Sequence, residues 1–184
     1  MDGRTGTVPP GRDTNPRCGL AVPAGARPAP ARERRQSAVA WPLFSGLGPL
    51  GALPTAPRLA RVFTALVLGS WQLRTMTEVS ELITSELASN VVRAACGPAG
   101  QPCYDIDGRL PVLWLRLMTD LTLLRIEVWD DLPQAHGAPA ARHPALEEES
   151  GRGLQLVEAL SKNWGWEQLP GSQAKRVWAL LTIS

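Results

Sequence analysis

The stretch VSELITSELASNVVRAA, residues 79–95, decides how the rest of the chain can be interpreted. Read as a helix of roughly 3.6 residues per turn, it places six apolar residues in one stripe. These are Val79, Leu82, Ile83, Leu87, Val91 and Ala94. Glu86 and Asn90 are four residues apart, so they are neighbours on the helix surface and are predicted to lie within that stripe.

A carboxylate in an apolar stripe destabilises a fold by several kcal/mol unless it is paired, and an amide beside it also needs partners. Such a pair offers a base and a hard oxygen ligand, which is what a site for Mg²⁺ and phosphate requires. The alternative is a structural one, in which Glu86 lies at the helix edge and accepts a hydrogen bond from a backbone N–H. The remaining polar side chains are predicted on or near the outer side: Ser80, Glu81, Thr84, Ser85 and Ser89.

The charge of the 184-residue chain is nearly balanced at +2 but unevenly distributed. Residues 1–56 carry seven Arg against three acidic side chains, a net charge of +4, and the remainder carries 12 basic against 14 acidic, a net charge of −2. This distribution does not indicate a nucleic-acid surface. The most apolar run, residues 38–53, is interrupted by Pro and Gly, so no membrane span is expected.

Three cysteines, Cys18, Cys96 and Cys103, have neither metal-ligand spacing nor an even-numbered disulfide framework. The chain is therefore predicted to be cytoplasmic, with reduced thiols. Residues 1–45 are rich in Pro, Gly and Arg and have no hydrophobic period, which predicts a disordered tail. Residues 46–184 are predicted to form one domain. Residues 43–57 are expected to be loop-like, with a short edge strand allowed at residues 41–44.

Around the helix predicted at residues 79–95, the expected order of elements is helix, helix, strand, strand, lid, helix, strand, strand. A first helix, capped by Thr55, is expected to run to about Leu73 and to bury Leu59, Val62, Phe63, Leu66 and Val67. Alternating residues 112–118 and 123–129 predict an antiparallel hairpin, and residues 164–168 and 176–183 predict two further strands. A loop of about 20 residues, residues 132–150, is long enough to be a functional lid. With a helix at residues 154–160, this order predicts an α+β two-layer sandwich with helices on one face of a mostly antiparallel sheet.

Gly151-Arg152-Gly153 precedes this last predicted helix, and it has the form of a phosphate cradle. Glycines let backbone N–H groups approach an anion, and the start of a helix carries partial positive charge. Taken alone this motif is weak, as is Asp130 at a strand end. In combination with Glu86 and Asn90, these groups could converge on one nucleotide.

Three motifs together resemble the GHKL ATPases, the superfamily of gyrase and histidine kinases. They are Glu86-Leu87-Ala88-Ser89-Asn90, then Val128-Trp129-Asp130, then Glu149-Ser150-Gly151-Arg152-Gly153-Leu154-Gln155-Leu156-Val157. Within that superfamily the chain is most similar to the anti-sigma-factor serine/threonine kinases, especially the stand-alone actinobacterial ATP-binding regulators. The resemblance covers residues 50–184 and implies the histidine kinase-like ATPase fold.

The resemblance also implies cofactors, which are ATP and Mg²⁺, and a role for each matching residue. Glu86 matches the general base, Asn90 the Mg²⁺ ligand, and Asp130 the carboxylate that hydrogen-bonds the adenine amino group. The glycine box that wraps the phosphates matches Gly151, Arg152 and Gly153, followed by Leu154. Two departures are the replacement of the usual glycines by Asp131-Leu132-Pro133 and the absence of a His at Ala95.

Two functions are compatible with this resemblance. The first is a kinase that transfers the ATP γ-phosphoryl group to a serine or threonine of an anti-anti-sigma-like partner. The second is a non-catalytic, nucleotide-dependent binding module that sequesters a sigma factor or another regulator. Both imply a protein partner, no direct contact with nucleic acid or membrane, and a possible homodimer.

Overall fold

A computed structural model of the chain describes residues 41–96, 101–102, 104, 107–132, 152–169 and 174–184. Its strands are β1 (Leu43–Gly51), β2 (Val112–Thr119), β3 (Leu123–Asp130), β4 (Asn163–Gln168) and β5 (Lys175–Thr182). Its helices are α1 (Ala56–Ser70), α2 (Thr77–Ala95) and α3 (Arg152–Leu160), with a 3₁₀ turn at Arg74–Met76. Residues 1–40 and residues 133–150 lie outside the described residues, and they make up nearly all of the predicted tail and the predicted lid.

The five strands form one sheet in the order β1-β2-β3-β5-β4, and every neighbouring pair is antiparallel. The three helices share one core cluster with one face of this sheet, and α2 packs against α1, α3 and β3. The predicted α+β two-layer arrangement is therefore confirmed. Within the described residues, no helix is long and apolar enough to cross a membrane.

Strand β1 corrects the prediction for the start of the domain. Residues 43–51 pair with β2 from Leu43 opposite Thr119 to Gly51 opposite Val112, with an irregularity between Leu47 and Leu50. The loop prediction for residues 43–57 is therefore wrong over this strand, and the sheet begins before residue 46. Gly and Pro within the strand made it resemble a loop, because both residues are depleted from strand interiors and tolerated at sheet edges.

The central hairpin is as predicted, with β2 and β3 paired in register. Alternate side chains of these strands belong to the helix-facing core: Leu113, Leu115, Leu117, Leu124, Ile126 and Val128. At the turn, the Oδ1 atom of Asp120 accepts hydrogen bonds from the backbone N–H groups of Thr122, at 2.8 Å, and Leu123, at 2.7 Å. The bond from Leu123, followed by those from Thr122, lowers the pKa of the Asp120 carboxyl below its ordinary value.

Helix α1 buries a different face from the one predicted. Its buried residues are Ala56, Ala60, Thr64, Val67 and Leu68. Three of the five residues predicted to be buried are exposed instead: Leu59, Val62 and Leu66. Small side chains on the buried face let α1 approach α2 closely, and the Thr64 and Thr84 hydroxyls are hydrogen-bonded across that contact at 3.2 Å. Thr55 does precede the helix, but its side chain makes no capping hydrogen bond.

Helix α2 is also rotated relative to the predicted stripe. Its buried residues are Ser80, Ile83, Thr84, Leu87, Ala88, Val91, Val92 and Ala95. The prediction that Ser80 and Thr84 lie toward the outer side is wrong, since both are fully buried, and Leu82 is exposed. The helix ends at Ala95, just ahead of Gly97-Pro98, as the sequence indicated.

Candidate functional site

Glu86 and Asn90 lie on α2 at the border of its buried face, and both side chains are half-buried. They were predicted to lie in the middle of the apolar stripe, and this prediction is wrong because they lie at its edge. A border position lets a polar side chain reach a ligand while its helix stays anchored by Leu87 and Val91 in the core. It also avoids the full desolvation of a carboxylate in an apolar interior.

The Glu86 carboxylate lies against the first turn of α3, at Gly153. A Cβ atom added to Gly153 would be 3.2 Å from Cδ of Glu86 and would overlap its Oε2 atom. Gly153 therefore leaves the space that lets Glu86 approach the start of α3. Backbone N–H groups at a helix start lack intrahelical partners and attract negative charge. This edge position fits the structural alternative for Glu86 in part, although no backbone N–H of the described residues donates to its carboxylate, and it also puts the candidate base beside the glycine box.

The side-chain oxygen of Asn90 is engaged one turn further along α2. Nη2 of Arg93 donates a short hydrogen bond to Oδ1 of Asn90. Arg93 is exposed, so this contact can be exchanged for another without uncovering a buried charge. An oxygen that already accepts from a cation is oriented outward, where a metal ion could approach it.

Asp130 ends β3 on the helix-facing side of the sheet. It follows Ile126 and Val128 in the alternation of the strand, and both of these residues belong to the core. The residue is fully buried, and its Oδ1 atom accepts a hydrogen bond from the backbone N–H of Leu132 at 3.2 Å. Its Oδ2 atom is buried without a hydrogen-bond partner. Nζ of Lys175 lies 3.7 Å from Oδ2, which is close enough for charge attraction but too long for a hydrogen bond.

Burial raises the pKa of the Asp130 carboxyl above its ordinary value of 3.8. The attraction of Lys175 and the hydrogen bond from Leu132 act in the opposite direction, but desolvation is the larger effect. A buried carboxylate with one free oxygen destabilises the fold, and such groups cluster at functional sites. Asp130 is therefore the described residue that most clearly requires a functional explanation.

The glycine box is described only in part. Gly151 lies outside the described residues, and of Arg152 only the backbone, at the start of α3, is described. Helix α3 begins two residues earlier than predicted, so Gly153 belongs to its first turn rather than preceding it. The Leu154 side chain is buried in the core, so only its backbone could face a ligand.

Two basic residues near the site were missed in the sequence. Arg93 could have been found, because it lies three residues after Asn90 and therefore next to it on α2. Lys175 could not, because only the pairing of β3 with β5 places it opposite Asp130. Both would favour an anionic ligand near the carboxylates.

The structure brings Glu86 and Gly153 into contact and places Asn90 one turn from Glu86. Asp130 lies in the sheet, on the face that the helices cover, at the end of the strand that packs against α2. Among the described residues, no three His, Cys, Asp or Glu side chains cluster as metal ligands. Asn90 fits Mg²⁺ nonetheless, because Mg²⁺ commonly takes only one or two protein ligands and completes its shell with phosphate oxygens and water.

We compared the chain with protein-family models and with curated proteins, and it matches none of them.

Proposed function

We propose that this chain binds Mg-ATP in the helix layer and acts as a regulatory serine/threonine protein kinase of the anti-sigma-factor type. Its substrate would be a serine or threonine of an anti-anti-sigma-like partner protein. The observation that supports the proposal best is the buried Oδ2 atom of Asp130, which lacks a hydrogen-bond partner. The class of protein partner rests on the sequence resemblance alone.

A free carboxylate oxygen on a buried Asp is suited to the amino group of a nucleotide base. The amino group of adenine donates hydrogen bonds, whereas a base with a carbonyl at that position offers an acceptor, which a carboxylate repels. A buried acceptor without a partner costs about 1–3 kcal/mol, and a donor from the ligand would offset that cost. Asp130 would therefore select adenine over bases that lack this amino group.

The start of α3 is suited to the phosphates because the helix dipole favours anions there, although the space beside Gly153 itself is taken by the Glu86 carboxylate. Arg93 is placed to contact the same charges, beside Asn90. Asn90 would hold Mg²⁺ through Oδ1. When bound, Mg-ATP supplies the γ-phosphoryl group, which passes to the hydroxyl oxygen of the partner and leaves ADP.

Glu86 would be the general base in this transfer. Its carboxylate would accept the proton that the partner's hydroxyl group loses as the oxygen bonds to phosphorus. Replacing Glu86 by Gln keeps the shape of the side chain and removes its basicity. Phosphotransfer by Glu86→Gln should fall by roughly 10²–10⁴-fold, with ATP affinity retained or improved. Glu81→Gln, also half-buried on α2, is the matched control and should keep the wild-type rate.

A non-catalytic binding module is the second candidate, and the contact of Glu86 with Gly153 favours it. A carboxylate held against a helix start can stabilise the fold without acting as a base. For this candidate, wild-type protein would bind Mg-ATP but transfer no phosphate to any partner, and Glu86→Gln would change stability and leave partner binding unaltered.

Calorimetric titration with Mg-ATP and with Mg-ITP tests the adenine contact directly. Inosine triphosphate has a carbonyl where ATP has the amino group. Wild-type protein should bind ATP at least about tenfold more tightly than ITP, and Asp130→Asn should reduce that preference, because an Asn amide can also donate to a carbonyl. Asp131→Asn should behave as wild type, since Asp131 is exposed. Absence of ATP binding, or equal affinity for the two nucleotides, would refute the proposed site.

A further inference from the structure

The face of the sheet that points away from the helices carries a cavity of about 400 Å³. We call it the outer cavity, and its lining includes Gly46, Gly48, Trp114, Arg116, Trp129 and Ala174. Trp114 and Trp129 face each other across β2 and β3, and Arg116 follows on the same face of β2. None of these residues belongs to the proposed nucleotide site.

The outer cavity exists because β1 carries glycines where it runs beside the aromatic residues of the sheet. Gly48 has a φ of 136°, and a Cβ atom there would be 2.7 Å from Cδ1 of Trp114. This position therefore requires glycine, both for the backbone and for the close approach of the indole. Gly46 is different, because a Cβ atom there would meet only the carbonyl oxygen of Leu115, at 3.6 Å. The space above Gly46 is open and forms part of the cavity.

Among the described residues of this face, one cation has no carboxylate partner. Nε of Arg125 lies 2.7 Å from Oε1 of Glu127, and Arg176 pairs with both Glu127 and Glu167. Arg116 instead stacks over the ring of Trp129, 4.6 Å from its centroid. Among the described residues it has no acidic partner, although it stands opposite Glu127 in the sheet register.

A half-buried guanidinium beside two indoles defines the chemistry of a ligand. The Trp114 indole offers a flat apolar surface that favours an aromatic ring, whereas the Trp129 ring already carries Arg116 and, 5.7 Å from its centroid, Arg176. The guanidinium can stay on Trp129 and still donate two parallel hydrogen bonds to a carboxylate, the geometry in which arginine binds that group most strongly. A neutral ring would leave the charge of Arg116 uncompensated.

We propose that the outer cavity is a binding site for a planar aromatic carboxylate. The ring lies against Trp114 and over Gly46, beside the edge of Trp129, and the carboxylate pairs with Arg116. The helices and the Asp130 side chain lie on the other side of the sheet, so this site is separate from the proposed nucleotide site. Its ligand should bind in the presence of saturating Mg-ATP.

Naphthoate and its neutral isostere naphthamide test this site, with binding followed by the indole N–H resonances of the protein in NMR titrations. In wild-type protein naphthoate should shift the Trp114 and Trp129 signals and bind at least about tenfold more tightly than naphthamide, the usual effect of a charged hydrogen bond. Arg116→Gln should remove this preference. Gly46→Val should abolish the binding of both compounds, because its side chain occupies the place of the ligand ring without contacting the sheet closely.

Two control variants match these substitutions elsewhere in the chain. Arg61→Gln removes an exposed arginine of α1, and Gly69→Ala adds a methyl group where nothing lies within 4 Å. Both should bind naphthoate as wild type does. Equal affinity of wild-type protein for the two compounds, no binding of naphthoate, or unchanged binding by Gly46→Val would each overturn the proposal.

Discussion

Two buried carboxylates, Glu127 and Asp130, lie three residues apart on β3 and face opposite sides of the sheet. Glu127 faces away from the helices and is surrounded by partners. Its oxygens contact Arg125 and Arg176, and the indole N–H of Trp129 donates to Oε2 at 3.3 Å. Asp130 faces the helix layer and accepts one hydrogen bond, from Leu132, while its buried Oδ2 atom has only the charge of Lys175, 3.7 Å away, and no hydrogen bond.

The difference separates a structural carboxylate from a candidate functional one. The partners of Glu127 lie on β3 itself and on β5, and they hold the outer face of the sheet together. Burial of the Asp130 carboxylate destabilises the fold, and the raised pKa of Asp130 reflects this cost. Such a loss of stability is expected at a site where a ligand donates a hydrogen bond to Oδ2. Burial alone would not have distinguished the two residues, since both are almost completely inaccessible.

The largest expected effect concerns Glu127. Glu127→Ala leaves the Arg125 and Arg176 guanidiniums without their shared carboxylate, and the loss of one partner from a buried ion pair costs about 3–5 kcal/mol. Urea unfolding should show this decrease in the free energy of unfolding. Glu167→Ala removes the more exposed partner of Arg176 and should cost at most about 1 kcal/mol. Similar losses for the two variants would show that Glu127 has no special structural role.

The second prediction is an increase in stability, from Asp130→Asn. Because folding raises the pKa of Asp130, its ionised form destabilises the folded protein at neutral pH. The variant should therefore be more stable than wild type at pH values above the raised pKa. Its advantage should shrink as the pH falls through that pKa toward the ordinary value of 3.8.

Thermal unfolding of both proteins over this pH range measures the effect of Asp130→Asn, with Asp131→Asn as the control that should show no comparable trend. An advantage that grows as the pH falls would contradict the assignment of Asp130 as a poorly compensated carboxylate.

The smallest expected effect is that of the tail. Deletion of residues 1–40 leaves β1 intact and should change the free energy of unfolding by no more than about 0.5 kcal/mol. The deletion should not change the surroundings of Glu127 or Asp130. Glu127→Ala and Asp130→Asn should therefore change the stability of the shortened chain by the same amounts as in the full chain. A loss of several degrees in melting temperature would show that the tail packs on the domain.

Sequence periodicity singled out two candidate residues on α2 but did not predict the packing of the helices. Glu86 and Asn90 stood out because they interrupted an apolar period. The same reasoning failed for Leu59, Val62 and Leu66 of α1, because the helix packs through smaller side chains and leaves these three exposed. Helical periodicity predicts which residues share one face of a helix. It does not predict which of the faces packs against the neighbouring helix.

Two features depend on strand register, which no local pattern contains. Lys175 meets Asp130 only through the pairing of β3 with β5, and Gly46 and Gly48 form a cavity only because β1 pairs with β2. The hairpin of β2 and β3 was predictable because its strands alternate and its link is short. Strand β1 was not, because its Gly and Pro residues resemble those of a loop.

The central claim, that a nucleotide binds on the helix side of the sheet through Asp130, is tested most directly by titrating labelled protein with Mg-ATP. The backbone amide of Leu132, which donates to Asp130, and that of Gly153 at the start of α3 report on this side. The Trp114 and Trp178 indoles report on the other. Mg-ATP should shift the Leu132 and Gly153 amide resonances and leave both indole signals in place. Shifts confined to the indoles, or no shifts at millimolar Mg-ATP, would contradict the account.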